Sequence, residues 1–206
     1  MDNLFLNKEK IEEYDNIFLT SDPHFHHEKI IQYCKRPFYN VEEMNETLIS
    51  NWNDVVTDDS LVFLLGDVCL GNKNKMNQVM RRLNGDIIYI YGNHHRDKDF
   101  DSHRFTSMHD ILYVDLNSEF SFYATHFPLM TWTRRIKNET ETNFKCINAF
   151  GHVHHNPREC SGFDSNLPLW DNQLDVGVDN NNFYPWNLKD IIKIMDDRER
   201  GIKQYT

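Results

Sequence analysis

The stretch Leu61-Val62-Phe63-Leu64-Leu65-Gly66-Asp67 decides the fold, because five apolar residues run straight into a glycine and a carboxylate. A run of that length closed by turn residues reads as a buried strand. The same arrangement recurs along the chain. Ile17–Leu19 leads into Ser21-Asp22-Pro23-His24, Ile87–Tyr91 into Gly92-Asn93-His94-His95, Phe120–Ala124 into Thr125-His126, and Cys146–Phe150 into Gly151-His152-Val153-His154. Leu174–Val178 is a further strand-sized burst.

Between the early strands the apolar period changes. Val41, Met44, Leu48, Trp52 and Val55 recur at helical spacing, as do Met76, Val79, Met80 and Leu83 within Lys75–Leu83. Asn40 with Glu43 reads as a capping box opening the first of these helices. The first half is therefore β-α-β-α-β. From about Ile111 strands follow one another with fewer helices, which predicts a second, more antiparallel sheet packed on the first. Asn187–Met195 forms a closing amphipathic helix, and Asp197–Thr206 is expected to fray. Asn156–Asn172 and Thr131–Asn143 read as loops. No repeat or linker divides the chain, so residues 1–206 are expected to form a single α/β domain.

Composition narrows the function. Lys and Arg number 22 against 32 Asp and Glu, a formal net charge of −10. That balance disfavours a broad grip on a polyanion, so long duplex nucleic acid is not an expected partner. With 39% hydrophobic and 13% aromatic residues the chain can bury a core, which excludes global disorder. No apolar run reaches the roughly 18 residues a membrane span requires, and Met1–Glu12 is unlike a signal peptide. A cytoplasmic protein without a membrane partner is the expectation. Cys34, Cys69, Cys146 and Cys160 are scattered with no CxxC pair, which suits reduced thiols that only pack.

Every histidine except His103 and His109 lies at or beside a strand end. Open α/β sheets build sites where strands deliver polar groups at their carboxyl ends. Carboxylate, imidazole and amide donors together suit divalent first-row metals such as Mn, Fe, Ni or Zn. In extended backbone, residues two apart face the same side, so Asp22 with His24 and His152 with His154 are expected to present ligand pairs. With Asp67, Asn93 and His126 the set is too large for one ion. Two ions sharing a bridging carboxylate accommodate it, and a pair about 3.5–4 Å apart stabilises both the attacking and the leaving oxygen of a phosphoryl displacement. Taken singly, each of these residues is an ordinary surface, core or turn residue; their shared placement singles them out. Gly66, Gly92, Gly151 and Gly177 at the same strand ends suit close backbone approach.

The ordered set Asp22-x-His24, Gly66-Asp67, Gly92-Asn93-His94, His126 and Gly151-His152-x-His154 resembles the calcineurin-like metallophosphoesterase superfamily, whose pattern is D-x-H, G-D, G-N-H-[DE], H and G-H-x-H. The likeness covers Ile17 to about Val178. Ser21–His27 followed by Arg36-Pro37-Phe38 is similar to the small bacterial and phage phosphoesterases of that superfamily. This resemblance implies a four-layer α/β/β/α sandwich of two mixed sheets flanked by helices. It implies one divalent ion on Asp22, His24, Asp67 and His154 and another on Asp67, Asn93, His126 and His152, manganese being favoured. It further implies a dinuclear metal-dependent phosphoric ester hydrolase, in which a bridging hydroxide attacks phosphorus in line and His94 stabilises the phosphorane or protonates the leaving oxygen. His95 stands where the pattern has Asp or Glu, and Pro23 fixes φ between two ligands.

Substrate contacts are expected from His27, His95 and Arg36, with Arg96, Arg134 and Arg135 as further phosphate grips and His26 and His155 on the rim. Trp132, Trp170 and Trp186 flank loops and either stack on a base or pack. A small nucleotide-like phosphomonoester or phosphodiester is the favoured substrate. The alternatives are a nuclease working through Arg134, Arg135 and Lys137, and a scaffold of the same fold that binds a protein partner without turnover.

Overall fold

The computed structural model describes residues 5–6, 11, 13–94, 101, 104–133, 144–154 and 170–202. In chain order these form β1 (Phe5–Leu6), β2 (Asn16–Thr20), α1 (Glu28–Tyr33), α2 (Val41–Val55), β3 (Ser60–Leu64), α3 (Lys73–Met80), β4 (Asp86–Ile90), β5 (Ser107–His109), β6 (Ile111–Asp115), β7 (Phe120–Thr125), β8 (Lys145–Phe150), β9 (Gln173–Asp175), a 3-10 turn at Val178–Asn180, β10 (Trp186–Asn187) and α4 (Leu188–Glu199). Two five-stranded mixed sheets result, in the orders β10-β2-β3-β4-β5 and β1-β6-β7-β8-β9.

Local chemistry explains the helices. Asn40 caps α2 by accepting from the Glu43 amide at 2.8 Å, while the Glu43 carboxylate reaches back to the Tyr39 amide at 2.7 Å, one residue earlier than in a standard capping box. Met44, Leu48 and Trp52 then bury the inward stripe. Asn72 caps α3 through the Lys75 amide, so that helix starts before the predicted Lys75 and ends at Met80, with Leu83 buried beyond it. Asn187 caps α4 in the same way, and α4 runs to Glu199. The expected fraying over Asp197–Thr206 is therefore corrected at its start, where Asp197 lies within the helix and is buried; residues 203–206 lie outside the described residues.

β3 is buried on both faces, which is why its sequence shows no polar alternation. One face of its sheet, with Phe18, Val62, Leu64, Ile87 and Tyr89, packs under α1, α2 and α3. The other, with Leu19, Leu61, Phe63, Ile88 and Ile90, meets Leu112, Val114, Phe122, Ala124, Ile147 and Ala149 of the second sheet. Phe63 and Phe122 meet edge to face, with centroids 5.2 Å apart.

Two expectations are corrected. The second sheet is no more antiparallel than the first: β6 with β7 is its one antiparallel pairing, as β10 with β2 is in the first, while β1 pairs with β6, β7 with β8 and β8 with β9 in parallel. The four-layer arrangement is also met only in part. Helices and two sheets make three layers, but α4 turns Leu188, Ile191, Ile194 and Met195 into the core between the sheets. It starts at the edge strand β10, beside β2, and Lys145 of β8 pairs with its Asp196 and Glu199. The outer face of the second sheet packs Tyr113, Tyr123 and Cys146 on Leu129, Trp132 and Phe144, with no helix over it among the described residues. Trp132 thus packs, its indole donating to the Cys146 carbonyl. No helix of the described residues is long and apolar enough to cross a membrane.

The inter-sheet core is expected to dominate stability. Phe63→Ala should lower the unfolding free energy in urea by about 3–5 kcal/mol. Glu46→Ala, which breaks only the exposed pair with Arg82, should change it by less than about 1 kcal/mol. Equal effects would place the stabilising contacts elsewhere.

Candidate metal centre

Parallel pairing carries the ends of β2, β3 and β4 in one sheet, and of β7, β8 and β9 in the other, to a common rim. Backbone hydrogen bonds lace these ends together. Asp22 N donates to Gly66 O at 3.2 Å, His24 N to Asp67 O at 3.0 Å, and Gly151 N to His126 O at 2.9 Å. Val178 N donates across to Ser21 O at 3.0 Å, and the Ser21 hydroxyl to Leu65 O at 2.6 Å. A Cβ on Gly151 would collide with Ser21 Oγ and the Asp22 carboxylate, so a side chain is excluded where the sheets meet.

Five of the seven predicted ligands do not sit in extended backbone. Asp22, His24, Asp67, His152 and His154 have φ of 57°, 51°, 48°, 70° and 44°. This left-handed region is uncommon for residues with a side chain. The inference that residues two apart share a strand face is thus corrected: alternating left-handed turns, not pleating, bring Asp22 to His24 and His152 to His154.

Three groups of side chains among the described residues offer ligand atoms within 4.8 Å of one another: Asp22 with His24 and His154, Asp67 with His126 and His152, and, behind the first, Cys34 with His154 and Asp179. Asp67 lies between the first two. Its Oδ2 is 3.7 Å from His24 Nε2 and 3.5 Å from His126 Nε2. Asp22 Oδ1 is 3.7 Å from His24 Nε2 and 3.8 Å from His154 Nε2. These separations are too long for hydrogen bonds, yet short enough for two groups to share one ion with bonds of about 2.1 Å. The donor set fits a divalent cation on a further observation: Asp22 Oδ1 and His24 Nε2 are buried and make no hydrogen bond. Such orphaned polar atoms are costly unless something binds them.

Surrounding groups orient the rings. His126 Nδ1 lies 2.8 Å from the Leu65 carbonyl and His154 Nδ1 2.9 Å from Asp179 Oδ2. Both partners only accept, so each Nδ1 carries its proton and each Nε2 points into the centre. The other carboxylate oxygens accept from backbone, Asp22 Oδ2 from His152 N at 2.8 Å and Asp67 Oδ1 from His94 N at 3.0 Å. Asn93 Oδ1 sits 2.8 Å from His126 Nε2, completing the expected set on that side.

Burial, reinforced by His154 and Arg36 nearby, pushes the His24 pKa well below its ordinary value, so that ring is neutral. His152 is lowered as well, by burial and by His126. For His154, burial opposes the charged ring but is outweighed by the hydrogen bond to Asp179 and the charge of Asp22, and its pKa rises to about 9. His126 is likewise raised by Asp67 and Asp22 against burial.

His94, half exposed, stands at the mouth with Nε2 3.9 Å from Asp67 Oδ2. His27 lies over the centre, its Nδ1 3.4 Å from that of His24, and its ring meets the exposed Tyr33. His26 instead contacts Asn45 of α2. Arg36 must be corrected. It is buried and forms a two-pronged ion pair with Asp179, so it presents no guanidinium to a substrate. Removing either partner would leave a buried unpaired charge, at about 3–5 kcal/mol. His95, Arg96, Arg134, Arg135, Lys137 and His155 lie outside the described residues. Two residues went unnoticed in the sequence. Asp179 follows Gly177 just beyond the end of β9, the same punctuation that marks the candidate ligands. Phe127, half exposed, packs on His126 at 5.0 Å and His152 at 4.5 Å between centroids, and an aromatic directly after His126 was the available signal.

No protein-family model matches the sequence. Uncharacterized protein MJ1445 of Methanocaldococcus jannaschii is 43% identical over 113 residues, 54% of this chain and 63% of that protein, so the chain spans under two thirds of that relative. Among solved structures, AQ665 of Aquifex aeolicus, a protein of unknown function, superposes with a TM-score of 0.64 at 20% identity, covering 87% of this chain and 98% of that one. The likeness shows a shared fold.

Uptake of a cation by His154 Nε2 must displace the proton that ring holds below about pH 9. Adding Mn²⁺ to chelator-stripped protein at about neutral pH is therefore expected to release protons, read with an indicator dye, and affinity should fall as pH falls. His154→Ala should release fewer. Uptake without proton release would contradict this assignment.

Proposed function

We propose that the chain is a dinuclear metal-dependent phosphoesterase acting on a small nucleotide-like phosphomonoester or phosphodiester, with manganese as the favoured ion. One observation carries the reading: two candidate ligand groups flank a shared buried carboxylate, Asp67, and the inward atoms of Asp22, His24, Asp67 and His154 stand 3.7–3.8 Å apart, separations suited to a shared cation rather than to hydrogen bonds. Asp22, His24, Asp67 and His154 would hold one ion, and Asp67, Asn93, His126 and His152 the other. Bound there, two divalent cations would acidify a water and neutralise charge on the attacking and leaving oxygens of a phosphoryl displacement.

The chain's own residues supply the rest. Asp67 keeps its two oxygens in different roles because the His94 amide occupies one of them. His94 has its backbone held by that bond while its ring is half exposed, so the imidazole can meet a leaving oxygen without disturbing the ligands. His27 beside His24 offers a second imidazole to a phosphoryl oxygen. With Arg36 buried, no arginine among the residues described around the mouth is given over to phosphate, and imidazoles take that place. Phe127 and Tyr33, both half exposed, border the histidines on the two sides of the mouth. Flat apolar rims of this kind favour a substrate that carries a planar ring.

The deciding assay is hydrolysis of 4-nitrophenyl phosphate and bis(4-nitrophenyl) phosphate with Mn²⁺. Turnover is expected, abolished by chelation and lowered about 10²–10⁴-fold in kcat by His94→Ala with Mn²⁺ binding retained. Turnover indifferent to chelation would remove the proposal, and Mn²⁺ binding with no turnover of either ester would leave the scaffold reading. Phe127→Ala should raise KM for adenosine 5′-monophosphate by about tenfold while leaving KM for ribose 5-phosphate unchanged, given that stacking contributes about 1–3 kcal/mol per base. Equal shifts for both compounds would assign Phe127 to packing alone.

A further inference from the structure

We propose that Arg36 and Asp179 are positioning residues that build one half of the centre, the Asp22–His24–His154 half, and act on it selectively. The inference rests on the reading of these three side chains as metal ligands. The Arg36 side chain is fully buried, and each of its nitrogens is engaged. Nε donates to Asp179 Oδ1 at 2.8 Å, and Nη2 to Asp179 Oδ2 and to the Asp22 carbonyl, each at 2.8 Å. Nη1 donates to the Pro23 carbonyl at 2.9 Å and faces Met44 Sδ at 3.5 Å. The rigid guanidinium plane thus holds two successive carbonyls of the turn in which Asp22 and His24 take their left-handed conformations. Asp179 arrives from the end of the other sheet, and the oxygen it shares with Arg36 also accepts from His154 Nδ1 at 2.9 Å. A single buried ion pair therefore sets the backbone beneath two ligands and the ring orientation of the third.

The other half is held by different groups. Leu65 O orients His126, and the His94 amide orients Asp67. A flexible lysine ammonium at position 36 could not reproduce the planar fork, which spans both oxygens of Asp179 and two backbone carbonyls at once. Conserving the charge alone would not conserve this function.

The test separates the halves. In a His126→Ala background, which breaks the Asp67–His126–His152 group and retains the Asp22–His24–His154 half, Asp179→Asn should weaken Mn²⁺ binding about 10- to 100-fold, the usual effect of losing a partner that orients a ligand. In a His154→Ala background, which retains the other half, the same change should leave Mn²⁺ affinity where it was. Equilibrium dialysis with metal analysis gives both numbers without any substrate. Because Asp179→Asn alone strands the Arg36 charge, Arg36→Met with Asp179→Asn is measured alongside, with metal-free thermal melts to verify folding, and should show the same selectivity. Equal weakening in both backgrounds would reduce the pair to general stabilisation and overturn the proposal, as would no weakening in either. A wild-type chain that binds no Mn²⁺ would remove the metal reading itself, an outcome distinguishable from both.

Discussion

Two carboxylates share a place almost without water. Asp22 is 0% and Asp67 4% exposed, and each satisfies one oxygen with a backbone amide while turning the other toward imidazole nitrogens 3.5–3.9 Å away. Buried charge of one sign is expensive unless paired. The surrounding architecture answers that demand: imidazoles from four strand ends face the inward oxygens, raised pKa values at His154 and His126 record the pull of the carboxylates, and a guanidinium completes the balance behind them. A cation is the other group that meets the same requirement, and mixed oxygen and nitrogen donors are what a divalent first-row ion takes.

Holding the donors in place costs conformational energy. Five of the residues in the ligand set occupy left-handed backbone, at about 1–3 kcal/mol each for residues with a side chain. Their sum rivals the whole net stability of an ordinary domain, about 5–15 kcal/mol. The strain persists because the neighbouring structure over-determines it. Strands buried on both faces anchor one side of each turn, and hydrogen bonds from Asp22, His24, Gly151 and Val178 fasten the other. Gly66, with φ of 92° and His126 Nδ1 against the space a Cβ would take, lets the β3 end pass beneath the ring.

What could be read from the chain was local. Val41–Val55 is a helix with the bounds its apolar stripe predicts, since the Asn40 cap and the spacing of Met44, Leu48 and Trp52 act within a few residues of one another. The strand ends bearing Asp22, Asp67, His126 and His152 were legible for the same reason, an apolar run stopping at a polar group. Pairing direction was not legible. Whether β8 lies parallel or antiparallel to β7 depends on the path of the connection, which leaves no period in the residues. α4 shows the same limit: its amphipathic stripe announced a buried face, and its start at the β10 edge selected the inter-sheet core as the surface to cover.

The amino-acid sequence by itself determined the inventory: which segments bury, where they stop, and a donor set of carboxylates, imidazoles and an amide that suits divalent ions. Tertiary structure alone decided what those groups became. Arg36 looked like a cation for a substrate because its neighbours in sequence say nothing of Asp179, 143 positions away. Once burial removed water from the guanidinium, each of its donors had to find a protein acceptor, and the fold placed a carboxylate and two carbonyls there. Hydrogen-bond competition of that kind is settled by which distant backbones meet, a question that short-range patterning does not reach.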